Sequence, residues 1–215
     1  MSELGLRDLV DNRTMSPSIA ETLRTAVREQ HSFLVCAIPR NAGKSTTLGA
    51  MLAERAAGLP VRTVTGKAEE QKTLREERAG GYLIIPEVLA ERSAQGPAEY
   101  IWGDEVRRVF TTLASGYSLA LTLHAPGVNE AFAILSTNNE VPDGDASRIR
   151  LAVYLRSIGE WEHPDKRRVS EVHEVSRVVA GVPELRLLHR WDEAVDRFLD
   201  VEPAEIIGRG PAAGR

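Results

Sequence analysis

Apolar residues along this chain change their spacing in an ordered way. They first recur every three or four positions, in a short amphipathic piece, LGLRDLVDN, and then in a run where Ile19, Leu23, Ala26 and Val27 share one face. Ser16 and Pro17 precede that second run as a hydroxyl N-cap and a first-turn proline, which predicts a helix start. At Phe33 the spacing collapses into FLVCAI, a continuous apolar run of strand formers, as expected of a strand covered on both faces. A helix is then predicted from Thr46 to Ala57, with Leu48, Met51 and Leu52 inward and Gly58 and Pro60 closing it.

The alternation repeats. VRTVT (Val61 to Thr65), GYLIIP (Gly81 to Pro86) and SLALTLH (Ser118 to His124) read as strands separated by helical segments. In DEVRRVFTTLASG, Val106, Val109, Phe110 and Leu113 fall at helical spacing and Gly116 stops the helix. Strands alternating with helices predict parallel βαβ units. A further helix, VNEAFAIL, leads into NNEVPDGD, which is expected to be surface loop. The last quarter changes character: RLAVYLRSIG, RRVSEVHEV and ELRLLHRW, separated by the turn formers of WEHPDK and VAGVP, predict an antiparallel meander. Alternation is clear in ELRLLHRW and ragged in RRVSEVHEV, which leaves the register open. DEAVDRFL is expected to form a final helix and EIIGRGPAAGR a frayed tail. The fold class is therefore α/β, a mainly parallel sheet flanked by helices with C-terminal antiparallel strands. The expected division is a helical lead-in over 1–31, a core domain over 32–200 and a flexible tail over 201–215.

Composition narrows the function. A chain of 215 residues buries one substantial core. Twenty-seven Lys plus Arg against thirty-one Asp plus Glu leave a net charge of −4, which is no polyanion-binding signature, so nucleic acid is not the expected partner. The single cysteine, Cys36, forms no intramolecular disulfide and reads as a small buried apolar residue in a reducing cytoplasm. MSELGLRDLVDN lacks an apolar signal core and no stretch approaches about eighteen apolar residues, so a soluble, unexported chain is expected.

Candidate chemistry begins at IPRNAGKST, between the FLVCAI strand and the following helix. A phosphate loop works because successive backbone N–H groups line a concavity at a helix N-terminus, where the dipole favours anions. Lysine adds a mobile cation toward the β and γ phosphates, and the next hydroxyl binds Mg²⁺. Lys44 and Ser45 are those residues, with Pro39, Arg40, Asn41, Ala42, Gly43 and Thr46 completing the candidate cradle. The full pattern G-x-x-x-x-G-K-[ST] places glycine where Ile38 stands. Asn41 tolerates a left-handed backbone and Pro39 fixes φ at a negative value, while Arg40 either meets phosphate or faces solvent.

Phosphoryl transfer also needs a carboxylate near the metal or the attacking water, and a polar group that senses the γ-phosphate. YLIIPE places Glu87 at the carboxyl end of a buried strand, and SLALTLHA places His124 likewise, on the edge where open α/β sheets bind ligands. His31, His163, His173 and His189 have no metal-ligand spacing and read as structural or exposed. Ser115 and Gly116 read as a helix end, not a nucleophile elbow.

Together these residues resemble the secretion ATPases of type II and type IV systems, including pilus motors. LRDLVDNRTMSPSIAETLRTAVREQHSFLVCAIPRNAGKSTTL is similar to the family's approach helix, strand and Walker A loop. YLIIPEV resembles the Walker B segment and LASGYSLALTLHAP the histidine box; RRVSEVHEV and ELRLLHRWD resemble the closing strands. The similarity covers most of Leu6 to Asp200. It implies a RecA-like P-loop NTPase core using ATP and Mg²⁺, a hexameric ring, and inner-membrane platform or pilus and secretion partners. The protein would then be cytoplasmic, with a peripheral inner-membrane association. By matched position Lys44 and neighbouring amides hold phosphate, Ser45 holds the metal, Glu87 activates water and His124 senses the γ-phosphate.

Departures from the family are specific. Ile38 and Asn41 replace loop glycines, Pro86 replaces the glycine before the Walker B glutamate, and Leu89 stands where arginine commonly follows. The acidic box is unrecognisable, with Glu69 and Glu70 its only nominal candidates, and the arginines that reach a neighbour's phosphates are not placed. Three readings follow: an ATP-hydrolysing secretion or pilus-type motor, a nucleotide-binding regulatory or assembly subunit without hydrolysis, and an interaction protein that keeps the scaffold.

Overall fold

The computed structural model describes residues 4–39, 41–91, 97, 99–160 and 162–208. Two short helices, α1 (Leu6–Asp11) and α2 (Pro17–Arg28), lead into β1 (Ser32–Ala37). Ser16 caps α2 as the sequence predicts, its hydroxyl accepting from the Ile19 amide at 3.2 Å with Pro17 at the first position. There follow α3 (Lys44–Leu52), β2 (Val61–Thr63), α4 (Ala68–Glu77), β3 (Tyr82–Val88), β4 (Tyr100–Ile101), α5 (Asp104–Thr112) and β5 (Ser118–Leu123). The chain continues through α6 (Val128–Ala133), a π-helical turn over Ile134–Asn138, and α7 (Asp143–Ala146). It closes with β6 (Ile149–Gly159), β7 (Pro164–Val179), β8 (Val182–Asp192) and β9 (Arg197–Asp200).

One mixed sheet joins the strands in the order β2-β3-β5-β1-β6-β7-β8-β9, with β4 extending β3 beyond β2. From β2 to β6 neighbours are parallel, and from β6 to β9 antiparallel. The expected α/β architecture with a closing antiparallel meander is what forms. Both β1 and β5 are buried at every position, which explains their unbroken apolar runs. Leu34 and Cys36 of β1 pack on one face with Val106, Val109 and Phe110 of α5; Phe33, Val35 and Ala37 pack on the other with Leu23 and Met51. Each such large side chain removed from water contributes roughly 1.5–3 kcal/mol. Burial pushes the Cys36 thiol up to about 12, as befits an inert core residue.

Three expectations change. DEAVDRFL is not a helix: Glu193–Asp196 turn the chain, Asp196 taking φ 45°, and Arg197–Asp200 pair with β8 so that Phe198 faces Trp191. The Asp196 carboxylate fixes that turn, accepting from Arg168 Nε and from the Trp191 indole. NNEVPDGD is not merely surface loop, because Asn139 and Val141 are buried. The Asn139 side chain donates to the Leu89 and Ile134 carbonyls and accepts from the Gly103 amide at 2.6 Å, tying three loops together. Within the segment read as tail, the Glu205, Ile206 and Ile207 amides donate to the buried Glu174 carboxylate, while 209–215 lie outside the described residues. The ragged pattern of β7 has a cause in its register shifts opposite β6 and β8. Among the described residues no helix is long and apolar enough to cross a membrane.

Candidate functional site

Strand order decides which residues meet. β5 lies between β1 and β3, so the loop after β1, the end of β3 and the residue after β5 open on one sheet edge. The loop turns through Asn41 at φ 65° and Gly43 at φ 97°, then enters α3, whose first intrahelical bond runs from the Thr47 amide to the Gly43 carbonyl at 2.9 Å. Asparagine at the first left-handed position is the substitution that tolerates it. The loop and the first turn of α3, where helical amides lack intrahelical partners, border a hollow of about 420 Å³ lined by Asn41 through Thr46, Glu162 and Arg167. Ala42 anchors the loop in the core, whereas Ser45 and Thr46 are exposed beside the hollow. Ile38 points away, 45% exposed, and does not line that space. Pro39 is exposed, and Arg40 lies outside the described residues.

Lys44, Glu87 and His124 converge. Lys44 Nζ lies 3.1 Å from both His124 ring nitrogens and 3.6 Å from Glu87 Oε2, and His124 Nε2 lies 3.9 Å from Glu87 Oε1. The lysine and glutamate side chains are buried, whereas the imidazole is 36% exposed at the mouth. Pro86 helps set this geometry. It has no N–H to give the ladder, and the β3–β5 register jumps from Ile85–Leu121 to Val88–Leu123, leaving one extra residue on β3. Thr122 fills the gap, its hydroxyl 2.5 Å from the Pro86 carbonyl and 3.2 Å from Glu87 Oε2. Glu87 Oε1 is buried and accepts no hydrogen bond, a state that is costly unless something else occupies its second lone pairs.

Glu70 serves elsewhere. Its carboxylate accepts from the Thr65 and Gly66 amides and the Thr65 hydroxyl, closing the β2–α4 connection, and Glu69 is exposed in the first turn of α4. His31, His173 and His189 each meet a carboxylate within 3.1 Å, and His163 is exposed. Three site residues escaped sequence reasoning, among them Glu162 at the rim of the hollow. Thr122 left only the faint signal of a hydroxyl inside the apolar SLALTL. Arg167 left none, because its Nε reaches the Asn41 carbonyl, at 2.8 Å, from 126 positions away.

No protein-family model matches the sequence, and no curated protein matches it. The VirB11 ATPase of the Brucella suis type IV secretion system, solved in complex with sulphate, aligns with a TM-score of 0.52. Identity is 17%, over 79% of this chain and 54% of that one. Over the aligned part the chain shares the fold of that ATPase. The Legionella pneumophila ATPase DotB aligns at a TM-score of 0.48 with 15% identity, covering 87% of this chain and 52% of its own. The chain spans about half the length of each. The resemblance read from the sequence thus holds at the level of fold.

Proposed function

We propose that the protein binds ATP at the loop from Asn41 to Thr46 and hydrolyses it as a compact secretion-type ATPase. One observation carries the reading: Lys44, Glu87 and His124, brought from three strand ends, meet within 3.9 Å beside the first turn of α3. The sulphate of the Brucella suis protein adds that a chain of this fold takes a tetrahedral anion. In this reading the amides hold the β-phosphate region and Lys44 moves from Glu87 toward the γ-phosphate. That movement frees a buried carboxylate to orient water and accept its proton. His124, at the mouth, senses the γ-phosphate. Thr122 holds Glu87 in place throughout.

Mg²⁺ fits the residues present. Glu87 Oε1 is a buried acceptor with no hydrogen bond, and Ser45 offers an exposed hydroxyl where the α3 helix begins. Among the described residues no three acidic, His or Cys groups cluster as a metal cage, which suits a cation held largely by phosphate oxygens and water. When bound, the metal neutralises charge developing on the phosphates. By resemblance the working form is a homo-oligomeric, hexameric ring in the cytoplasm, acting on inner-membrane platform, pilus or secretion proteins.

Phosphate release from ATP tests the proposal. It is expected to require Mg²⁺ and to vanish in Lys44→Ala and Glu87→Gln; equal release from both variants and the parent rejects it. A second reading has its own support, because Glu70, a nominal candidate for the acidic box, is spent on the β2–α4 connection. ATP binding by calorimetry without turnover selects that reading, a regulatory or assembly subunit. Absence of any nucleotide affinity leaves only a scaffold for protein contacts.

A further inference from the structure

The geometry points to Arg167 as a second cation for the phosphate chain, supplied by the antiparallel half of the sheet, with Glu162 as an opposing charge that limits how tightly the chain is held. This rests on the nucleotide reading above. Arg167 sits on β7 opposite Ser157 of β6, and its side chain crosses the loop so closely that a Cβ at Gly43 would stand 3.2 Å from its Cδ. Glycine is favoured there by the positive φ, and a Cβ would also make the Arg167 side chain give by a few tenths of an ångström. Of the five guanidinium donors, one is used on the Asn41 carbonyl. Among the described residues no carboxylate pairs with Arg167. Other arginines of the antiparallel strands are pinned by carboxylates, Arg168 by Asp196, Arg156 by Glu193 and Arg186 by Glu202, whereas Arg150, like Arg167, donates to carbonyls. An arginine without a counter-anion at the rim of an amide-lined hollow has the fork geometry that phosphate oxygens match.

Its position also bears on which part of a ligand it meets. A second hollow, of about 370 Å³, shares Ala42, Gly43, Thr46 and Arg167 with the first and extends toward α1. Arg167 therefore stands on the boundary between the phosphate cradle and the space beyond it. Glu162 lines the cradle alone, and its charge repels each added phosphate. The loop contributes fewer glycines than its relatives by resemblance, and an external cation compensates for that without any change to the loop.

The experiment is calorimetric titration of ATP, ADP and AMP into the full chain, parent and variants. Arg167→Ala is expected to weaken ATP roughly tenfold or more, ADP less and AMP hardly at all, because the lost attraction scales with phosphate charge. Arg167→Lys restores part of the loss and keeps the test open if the alanine variant unfolds. Glu162→Gln is expected to tighten ATP about threefold and AMP least. Unchanged ATP affinity in Arg167→Ala and Arg167→Lys, or equal loss for all three nucleotides, overturns the assignment; equal loss means that Arg167 only braces the loop. A parent that binds none of the three overturns the nucleotide reading itself, and this inference with it.

Discussion

Two buried carboxylates, one in each half of the sheet, are treated in opposite ways. Glu174, on antiparallel β7, is fully buried and accepts three backbone N–H groups at 2.8, 2.7 and 2.9 Å, with Arg186 4.0 Å away. Glu87, at the end of parallel β3, is also buried but receives one hydroxyl, with a lysine 3.6 Å and the His124 imidazole 3.9 Å away, and its Oε1 accepts no hydrogen bond. A saturated carboxylate is a fastener. One left short of partners at a strand end carries an uncompensated cost of incomplete hydrogen bonding, which under the proposed function a bound ligand would offset.

The sharpest way to break that contrast is to neutralise Glu87. Glu87→Gln is expected to lower ATP turnover roughly a thousandfold, the usual scale for losing a positioned base. Its melting temperature should stay level or rise, because a group with few partners contributes little to folding. Steady-state phosphate release and a thermal melt on the same sample decide it; a stability loss as large as that of a core residue would make Glu87 structural. Glu174→Ala is expected to behave in reverse. Removing the carboxylate that three backbone amides share, one of them buried, costs about 3 kcal/mol in urea unfolding and exposes the Glu205–Ile207 segment to proteases. ATP affinity should be unaffected, and a matching loss of binding would dissolve the distinction.

The same division explains what the sequence disclosed. Strands buried on both faces announce themselves as FLVCA and SLALTL, and sheet order then brings Lys44, Glu87 and His124 together, so most of the candidate site was readable. Pairings that close only in three dimensions were not. Arg167 meets a loop 126 positions earlier, and Glu174 receives amides from 31 to 33 positions later. Asp192 to Leu199 satisfies helical spacing as well as it satisfies a turn and strand, and it is the Arg168–Asp196 and Trp191–Asp196 contacts that select the turn. Local pattern carries no trace of such partners. Pro86 is a middle case: it looked like damage to a motif, yet its missing N–H accompanies the bulge that aligns Glu87 with Thr122.

Gly43 lies where the two halves touch. Gly43→Ala should cost about 1–2 kcal/mol, most of it from the left-handed backbone at φ 97° and the rest from displacing Arg167. Its loss of ATP affinity should exceed what the melt accounts for, because the loop and the arginine are disturbed together. Chemical denaturation alongside calorimetry checks this. If Gly43→Ala loses stability but binds ATP like the parent, the two halves do not cooperate at the loop.

The smallest expected effect tests a fastening of the antiparallel half to α2. The Asp200 carboxylate accepts from Ser18 at 2.7 Å and meets His189 Nδ1 at 2.8 Å, while His189 Nε2 lies 2.8 Å from the Thr22 hydroxyl. The Ser18 hydroxyl, and after it His189, hold the Asp200 carboxyl below its ordinary range. A depressed carboxyl stabilises the fold above the unfolded value of about 3.9, and that stabilisation is lost as pH falls through the lower folded value. Asp200 remains 69% exposed, so solvent screens the contact and Ser18→Ala should cost only a few tenths of a kcal/mol at pH 7. The difference between variant and parent should shrink as pH falls below the unfolded value and through the lower folded one, where the carboxyl protonates in both proteins. Urea melts across that range read it directly; a difference that grows on acidification would mean that Ser18 acts through α2 itself, where Ser16 also contacts it at 2.9 Å, and not through Asp200.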